Sequence, residues 1–322
     1  MISIILVDKN RIVYLSGLIQ NKHQLQKAER IKQHHYTGRV RATCKKANKS
    51  SFNNDSPIDF KIKRMIPTTH DRERSTYTLH YLMTTLVLLS IAASAFSETS
   101  YKKNIYSAFI THDMAKWENV IHTMESVNAT KTVDQKLELI NYYYGYIGWL
   151  IGKKEFKKAG KLIPKGQKLI HQVLEMSPKN ATAYSFKGSF LGFEIGIDKY
   201  KALFLGPESK NCINKALKLD PQNMQALIDK GNLLYYAPSM FGGDKQEALG
   251  YFLKGIKVME RNKEINQSWV YLNLLTMIAW VYVDTHKLEE AKLTYEKIMH
   301  NEPDINWVKD GLYPNLLAKM KT

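Results

Sequence analysis

From about residue 104 onward, the sequence is a succession of amphipathic helical patterns that recur at a distance longer than one helix. Proline recurs between these helical patterns, in MSPKNATAY at 176–184, LDPQNMQAL at 219–227 and NEPDINW at 301–307. Recurrence at about 20 to 50 residues is typical of solenoids, in which each unit buries its apolar face against its neighbours. The pattern therefore predicts an all-α chain of stacked helix pairs over the C-terminal two thirds.

The last unit carries the pattern in its most complete form. Its small, aromatic and apolar residues stand at intervals of 3, 9, 4, 3 and 5 residues, at Ala279, Tyr282, Ala291, Tyr295, Ile298 and Pro303. In these intervals the segment resembles the tetratricopeptide repeat (TPR), a helix-turn-helix unit of about 34 residues. The resemblance implies helix A at about 272–285, a turn at His286 and Lys287, and helix B at Leu288–Asn301.

Three earlier units carry the same pattern less regularly. One begins after Pro221 and another after Pro178, whereas a weaker unit runs from about 137 to 176. In this weaker unit, helix B is expected to be lengthened and to be interrupted at Pro164, because proline removes a backbone hydrogen bond from a helix interior. Four units exceed the minimum of about three that a continuous buried core requires.

The spacing of the units drifts along the chain. Pro178 and Pro221 are 43 residues apart, which is about nine residues more than the regular unit. The additional residues fall around 205–207 and 237–244. We therefore expect an α-solenoid of about four irregular TPR-type units at 137–322, preceded by N-terminal capping helices at 98–136.

Small residues mark the places where two helices are expected to cross closely. The structural positions that the TPR resemblance implies are Gly188, Ala216, Pro221, Gly231, Ala279, Ala291 and Pro303. A larger side chain at a crossing overpacks the core and costs about 1–3 kcal/mol. We expect a core held by apolar packing alone, since about 225 residues bury enough surface without a disulfide.

Positive charge is concentrated in the first 82 residues. This segment holds 16 of the 47 basic residues but only 6 of the 30 acidic residues, and seven of the eight arginines. It shows no sustained helical or strand period, so we expect a basic leader at 1–82 that is disordered, or that precedes a true start at Met65 or Met83. The alternative is a basic arm that contacts the phosphates of nucleic acid or anionic lipid.

An export signal is predicted at 83–97. The stretch LVLLSIAASA at 86–95 has no charge, and it has the length of a signal-peptide core rather than the about 20 apolar residues of a transmembrane helix. The small residues that follow allow cleavage before Phe96 or before Glu98. A buried core helix of the same composition is the alternative. The mature chain is therefore expected to be periplasmic or secreted, without a transmembrane helix.

Motifs for catalysis, metals and cofactors are absent from the sequence. It contains no H-E-x-x-H, G-x-S-x-G, G-x-G-x-x-G or P-loop pattern, which are the usual signatures of metalloproteases, serine hydrolases and nucleotide-binding proteins. Two cysteines, Cys44 and Cys212, do not make a metal site on their own. Arg261 is the one arginine after residue 82, so the folded part is not expected to bind nucleic acid. We expect no enzyme activity, metal or cofactor.

Aromatic residues recur on the predicted A helices. In the TPR family, fixed positions of helix A line a concave groove, and here they select Tyr144, Ser185, Ser189, Phe193, Ile228, Asn232, Tyr235, Tyr236, Thr276, Trp280 and Asp284. Aromatic side chains there suit an apolar peptide or a small apolar ligand, although half of them are equally explained as core between units. Among these positions Asn232 alone fits the family's clamp for a peptide carboxylate, so this clamp is not expected.

A glycine pair stands in the loop at 238–244. Gly242 and Gly243 allow a turn with positive φ or a close backbone approach, and Asp244 is placed to cap the following helix. A structural turn with a cap is the favoured role, and contact with a ligand is the alternative.

These features predict a non-catalytic TPR interaction module of the bacterial cell envelope. Its partner is expected to be an envelope protein or a peptide, held in the concave groove. The combination of an export signal, irregular units and an aromatic groove resembles small exported bacterial repeat proteins. It is also weakly similar to the helical T-component of periplasmic TRAP transporters, so a carrier of a small apolar ligand is the alternative.

Overall fold

The computed structural model of the protein describes residues 4–8, 11–15, 83–84, 100–127 and 131–321. The chain divides into two units, Met1–Arg74 and Ser75–Thr322. The predicted export signal at 83–97 and both of its cleavage frames lie almost entirely outside the described residues, and so does most of the leader at 1–82.

The described part of the first unit is an antiparallel β-hairpin, an element that the sequence analysis did not predict. Strand β1 is Ile4–Asp8 and strand β2 is Arg11–Leu15, with Ile4 paired to Leu15 and Asp8 paired to Arg11. Both strands are rich in the β-branched residues that favour extended backbone. Two residues separate them, which is the commonest length of a hairpin connection.

The described part of the second unit is helical. Helix α1 spans 100–111, and the following helices are α2 Met114–Ser126, α3 Val133–Gly152, α4 Phe156–Met176, α5 Ala181–Ile197, α6 Ala202–Leu219, α7 Met224–Tyr236, α8 Lys245–Arg261, α9 Trp269–Asp284, α10 Leu288–Asn301 and α11 Tyr313–Lys319. Short 3₁₀ turns occur at Lys199–Lys201 and Ser239–Phe241, and a π-helical turn at Trp307–Leu312 leads into α11. No helix of the described residues is both long and apolar enough to cross a bilayer.

Four consecutive helix pairs make up residues 133–301. The pairs are α3 with α4, α5 with α6, α7 with α8, and α9 with α10, and successive pairs pack against one another. The predicted all-α, TPR-type solenoid of four irregular units is confirmed. In the last unit, helix A begins at Trp269, three residues before the predicted start, because the Ser268 side chain accepts a hydrogen bond from the backbone N–H of Tyr271 and caps the helix there.

Two of the three recurring prolines, Pro178 and Pro221, stand just before the N-caps of helices. In both SPKN and DPQN, an asparagine follows the proline by two residues. The Asn180 side chain accepts from the backbone N–H of Ala183 at 2.8 Å, and the Asn223 side chain accepts from that of Ala226 at 3.0 Å. Such a cap stabilises a helix by about 1 kcal/mol. The repeat signature therefore fixes where helices α5 and α7 begin.

The small residues lie where helices A and B touch. An added Cβ at Gly188 would lie 2.6 Å from Cγ1 of Ile213, and one at Gly231 would lie 2.4 Å from Cε1 of Phe252. Real Cβ atoms do not approach other atoms so closely. Each of these two glycines therefore lets helix A lie closer to helix B than alanine would. Ala216, Ala279 and Ala291 are fully buried, whereas Pro221 and Pro303 are exposed in the turns that end α6 and α10.

Helix α4 corrects one expectation from the sequence. It is continuous over Phe156–Met176, with Pro164 inside it, and not interrupted there. Pro164 is exposed, and Gly160, whose carbonyl loses its helical partner, is exposed as well. Water is therefore available to that carbonyl, so the missing bond does not break the helix.

The capping segment contacts both ends of the stack. On the first unit, the Trp117 indole donates to the Tyr142 carbonyl at 3.0 Å. On the last unit, the Tyr106 hydroxyl of α1 donates to the Glu302 carboxylate at 2.6 Å. The Trp307 indole donates to the carbonyl of Phe109 at 3.0 Å. The first and last elements of the helical unit therefore touch, which a cap at one end of an open stack does not do.

Candidate functional site

The A helices α3, α5, α7 and α9 form the inner surface of the stack, and their inward-facing residues are called here the A-helix groove. Helix α5 packs between α3 and α7, yet Tyr144 on α3 reaches across it. The Tyr144 hydroxyl donates to the Asp229 carboxylate of α7 at 2.9 Å and accepts from the Asn232 amide at 2.8 Å. Residues of the first and third units meet in this way because the inner surface is concave.

Asp229 is the centre of a buried polar cluster at the floor of the groove. Its side chain is only 1% exposed. Besides the Tyr144 hydroxyl, it accepts from the Ser185 hydroxyl at 2.6 Å and from the Gln225 amide at 3.1 Å to each oxygen. Ser189 also hydrogen-bonds to it. Three A helices thus supply donors to one carboxylate.

The environment of Asp229 favours its neutral form. Burial raises the pKa of Asp229 to about 6, although the hydrogen bonds from Ser185, Gln225, Ser189 and Tyr144 oppose this rise. No cation lies within 4.0 Å of its carboxylate in the part of the chain that the structure describes. The pKa of Tyr144 is also raised, first by burial and then by the adjacent carboxylate.

A second cluster lies at the ends of α7 and α9. The rings of Tyr235 and Tyr236 are perpendicular with centroids 4.8 Å apart. The Tyr235 hydroxyl donates to the Asp284 carboxylate at 2.9 Å, and the Lys245 ammonium donates to the same oxygen at 2.7 Å. Partial burial acts to raise the pKa of Asp284, but the hydrogen bonds from Lys245 and Tyr235 outweigh it, so this pKa lies below its ordinary value.

Tyr236 is exposed but contacts the neighbouring A helix α9. Its side chain is 65% exposed, while its hydroxyl lies against the sulfur of Met277 on α9 at 3.9 Å. Tyr236 continues the stripe of Gln225, Asp229 and Asn232 along α7, since residues three or four apart share a helix face. The ring is therefore presented in the groove by two neighbouring A helices.

Phe193 of α5 is the aromatic residue next to Tyr144. Its ring packs on Tyr144 with centroids 5.4 Å apart and on Phe190 at 5.5 Å, and it is half-buried. Gly148 of α3 lies next to this ring, because an added Cβ at Gly148 would meet only Phe193, at 3.9 Å.

The structure brings some predicted groove residues together and not others. Tyr144, Ser185, Ser189 and Asn232 join one cluster, and Tyr235, Tyr236 and Asp284 join the other. Ile228 and Thr276 are buried in the core. Trp280 is half-buried and hydrogen-bonds to Tyr295 of α10, which places it towards the paired helix B.

Sequence reasoning missed Asp229 and Gln225. The TPR positions selected Ile228 on α7, whereas the residue whose side chain contacts α3 and α5 is the next one, Asp229. An acidic residue flanked by apolar residues, as in ALIDKG at 226–231, is the signal that would have found it, since a carboxylate on a buried helix face needs partners.

The loop at 238–244 forms a turn and a cap. Gly242 has φ 85°, in the left-handed region. An added Cβ at Gly243 would lie 1.8 Å from the Ala237 carbonyl oxygen. The Asp244 carboxylate accepts from the backbone N–H groups of Gln246 at 2.8 Å and Glu247 at 2.9 Å. Each of the three residues therefore has a structural role at the start of α8.

Metal-ligand clusters and a reactive thiol are not found among the described residues. Histidine, cysteine and carboxylate side chains do not gather in groups of three that could hold a metal there. Cys212 is buried, and burial raises the pKa of its thiol above the ordinary value, which opposes formation of the reactive thiolate.

Several solved structures resemble the chain at low sequence identity. HusA, a haemophore from Porphyromonas gingivalis, is 12% identical, with 56% of this chain and 92% of that chain covered and a TM-score of 0.46. A thermophilic TPR protein from Thermus thermophilus is 10% identical, with 67% and 99% covered and a TM-score of 0.45. PilF from Pseudomonas aeruginosa is 16% identical, with 59% and 72% covered and a TM-score of 0.36. No protein-family model matches the chain, and no curated protein matches its sequence significantly.

Proposed function

We propose that the protein is a non-catalytic interaction module that binds an extended segment of a partner protein in the A-helix groove. The observation that carries the proposal is Tyr236, which is 65% exposed and whose hydroxyl lies 3.9 Å from the sulfur of Met277 on α9. Tyrosine is enriched among the residues that dominate the free energy of protein binding. The ring also packs on Tyr235 with centroids 4.8 Å apart, and such packing lowers the conformational entropy that the side chain loses when a partner covers it.

The polar groups of the groove complement this aromatic surface. Asn232 is half-buried next to Tyr236 on α7, and its amide carries hydrogen-bonding capacity beyond its one bond to Tyr144. An extended peptide carries unpaired backbone N–H and C=O groups along its length. Apolar side chains of the peptide would pack on Phe193 and Tyr236, and Asn232 would bond to its backbone between them.

Site-specific photo-crosslinking in the bacterium tests this proposal. A photoreactive phenylalanine analogue at Tyr236 is expected to give one discrete adduct with a partner protein. The matched control is the same analogue at Leu293, which is equally exposed but lies on α10, and it is expected to give none. Tyr236→Ala should also weaken capture of the same partner through a tag. The proposal is wrong if positions 236 and 293 give the same adducts.

The proposed cellular compartment is the bacterial cell envelope, and the partner is accordingly an envelope protein or peptide. This rests on the uncharged stretch at 86–95 and the small residues after it, which have the composition of an export signal. To test this, cells that express the full chain are fractionated, and the N-terminus of the protein in each fraction is sequenced. A periplasmic or secreted form that begins at Phe96 or Glu98 is expected, and a cytoplasmic form that retains 83–97 would contradict it.

The second candidate is a carrier of a small apolar ligand. It is favoured by Gly148, where an added Cβ would meet only the Phe193 ring, at 3.9 Å, so that one side of this ring has room for a small molecule. Native mass spectrometry of the purified protein distinguishes the two functions, because a carrier retains a small molecule that denaturation releases. Gly148→Leu places a side chain in that space, against the Phe193 ring, and is expected to abolish retention. It leaves the Tyr236 crosslink unchanged if the groove binds protein.

A further inference from the structure

Helix α4 carries more positive charge than the other described helices. It contains five lysines and one glutamate, whereas α10, the corresponding helix of the last unit, contains two lysines and three glutamates. Lys153 and Lys154 stand in the turn that precedes α4, together with Glu155. From 153 to 176, seven lysines therefore accompany two glutamates.

Three of these lysines form a line on the side of α4 that points away from the stack. Lys157, Lys161 and Lys168 are spaced by 4 and 7 residues, which places them on one face of the helix. The line is about 17 Å long at the ordinary rise per residue. Buried residues such as Ile163 and Ile170 lie on the opposite face. The three lysines, with Lys153 and Lys154, are called here the lysine face.

The protein does not balance the charge of the lysine face. All five of its lysines are exposed, and none of them makes an ion pair with a residue that the structure describes. The carboxylates that the neighbouring helices α2 and α5 turn towards α4 are engaged by other lysines. These pairs are Glu118 with Lys158 at 2.7 Å, Glu125 with Lys165 at 2.9 Å, and Glu194 with Lys201 at 2.9 Å.

A recess of about 340 Å³ opens at the start of the lysine face, which is within the size range of small-molecule sites. Among the described residues, its lining consists of Glu155, Phe156 and four lysines, namely Lys154, Lys157, Lys158 and Lys161. Lysine is a common ligand of phosphate groups. The recess therefore suits the phosphate of a single lipid headgroup.

We propose that the lysine face docks on the surface of an anionic phospholipid bilayer, with one headgroup phosphate in the recess. Each lysine near such a surface adds to the attraction without a fixed geometry. A protein partner is disfavoured, because the cores of protein interfaces are poor in lysine and rich in arginine and aromatic residues. A nucleic acid is disfavoured because the lysine face lacks arginine, whose planar group binds phosphates through paired hydrogen bonds.

Docking in this way leaves the A-helix groove accessible. Helix α4 packs on α3 and α5 from the outer side of the stack, whereas the groove is on the inner side. The membrane and a partner segment would therefore occupy opposite surfaces. This inference does not depend on the proposed function.

Site-specific photo-crosslinking of the full chain to vesicles tests the proposal. Pro164 is exposed and lies between Lys161 and Lys168 on α4, so a photoreactive phenylalanine analogue there is expected to form adducts with phosphatidylglycerol. The yield should be at least about tenfold lower with phosphatidylcholine vesicles, and it should fall as salt is raised, because counterions screen the lysines. The matched position is Leu293, which is exposed on α10 and is expected to give no lipid adduct. Binding through the basic leader is common to both proteins and does not distinguish them.

Two double variants separate the lysine face from positive charge in general. Lys157→Gln with Lys161→Gln is expected to lower the lipid adduct at position 164 by about 25-fold, since each lysine contributes a factor of about five near an anionic surface. Lys254→Gln with Lys257→Gln removes the same charge from exposed positions of α8 and should leave the adduct unchanged. Circular dichroism verifies that each variant is folded.

Three results would overturn the proposal. The first is an equal yield of lipid adducts at positions 164 and 293, and the second is an equal effect of the two double variants. The third is a protein adduct at position 164 in the bacterium without any lipid adduct, which would show that the lysine face binds an acidic protein instead.

Discussion

The Asp229 carboxylate is buried, and among the residues that the structure describes no cation lies within 4.0 Å of it. Four side chains donate to it, yet its pKa remains raised from 3.8 to about 6. Neutral groups that donate hydrogen bonds solvate a charge less well than water does in a fully buried site. The side chain therefore positions α3, α5 and α7 relative to one another. At neutral pH its buried ionised form lowers the stability of the folded protein.

This cost predicts a pH dependence of stability. Because the pKa of Asp229 is higher in the folded than in the unfolded protein, its contribution to stability is fully present below about pH 4 and is lost as the pH rises through about 6. A difference of about two units corresponds to about 3 kcal/mol. In urea unfolding at pH 5 and pH 7, Asp229→Asn should lose less stability than the parent over this interval. Parallel changes in the two proteins would contradict the prediction.

Tyr144 is predicted to stabilise the same cluster through its hydroxyl. Tyr144→Phe keeps the ring against Phe193 but removes the donor to Asp229 and the acceptor of Asn232. A lost hydrogen bond to a buried charged group costs about 1.5–3 kcal/mol, so urea unfolding at pH 7 should show a loss of this size. Tyr200→Phe is the control, since Tyr200 is almost fully exposed and should change stability little. Equal effects of the two substitutions would argue against a role for the hydroxyl.

Among the helices, the glycines of α7 and α8 provide a matched test of close packing. Gly231 faces the buried ring of Phe252, whereas an added Cβ at Gly250 would meet no atom within 4 Å. Gly231→Ala is therefore expected to destabilise the protein by about 1–3 kcal/mol. Gly250→Ala is expected to stabilise it by about 0.5–1 kcal/mol, because alanine is the better helix former. Thermal unfolding measures both, and a gain from Gly231→Ala would show that α7 and α8 separate easily.

The helix pairs could be predicted from the sequence because local residues specify them. Gly188 and Gly231 marked the crossings, and the SPKN and DPQN segments marked the beginnings of α5 and α7. The face that each helix turns towards the other A helices was harder to assign, since a shift of one residue separates Ile228 in the apolar core from Asp229 in the buried polar cluster. Continuity of α4 through Pro164 depends on exposure of the affected carbonyl, which the pattern of residues does not reveal.

The contacts between the two ends of the helical unit could not be predicted from local sequence patterns. Trp269 is at the start of α9, but its indole donates to Asn141 of α3 at 3.1 Å, and its ring lies 4.9 Å from that of Trp117. The partners are more than 100 residues away in the sequence, and no spacing rule connects them. The positions that the TPR pattern defines do not include α1, so they do not predict the hydrogen bond between Tyr106 of α1 and Glu302.

At the scale of the whole molecule, this contact predicts long-range coupling of stability. In an open solenoid, a destabilised unit affects mainly its neighbours. Trp269→Ala removes a side chain shared by α2, α3 and α9, so hydrogen exchange should accelerate in 114–126 and 133–152 as well as in 269–284. Phe252→Leu is the control, because its effect should remain in α7 and α8 and their neighbours. Acceleration confined to 269–301 in the Trp269→Ala protein would show that the ends are independent.

A stack with two free ends can grow or shrink by duplication or deletion of a unit, since each new pair finds a similar surface on which to pack. Here an added pair between the first and last units would move Glu302 away from Tyr106 and Trp269 away from Asn141. A lost pair would leave the same groups without partners. The contacts between the first and last elements therefore disfavour a change in the number of units, whereas substitutions within units leave these contacts in place.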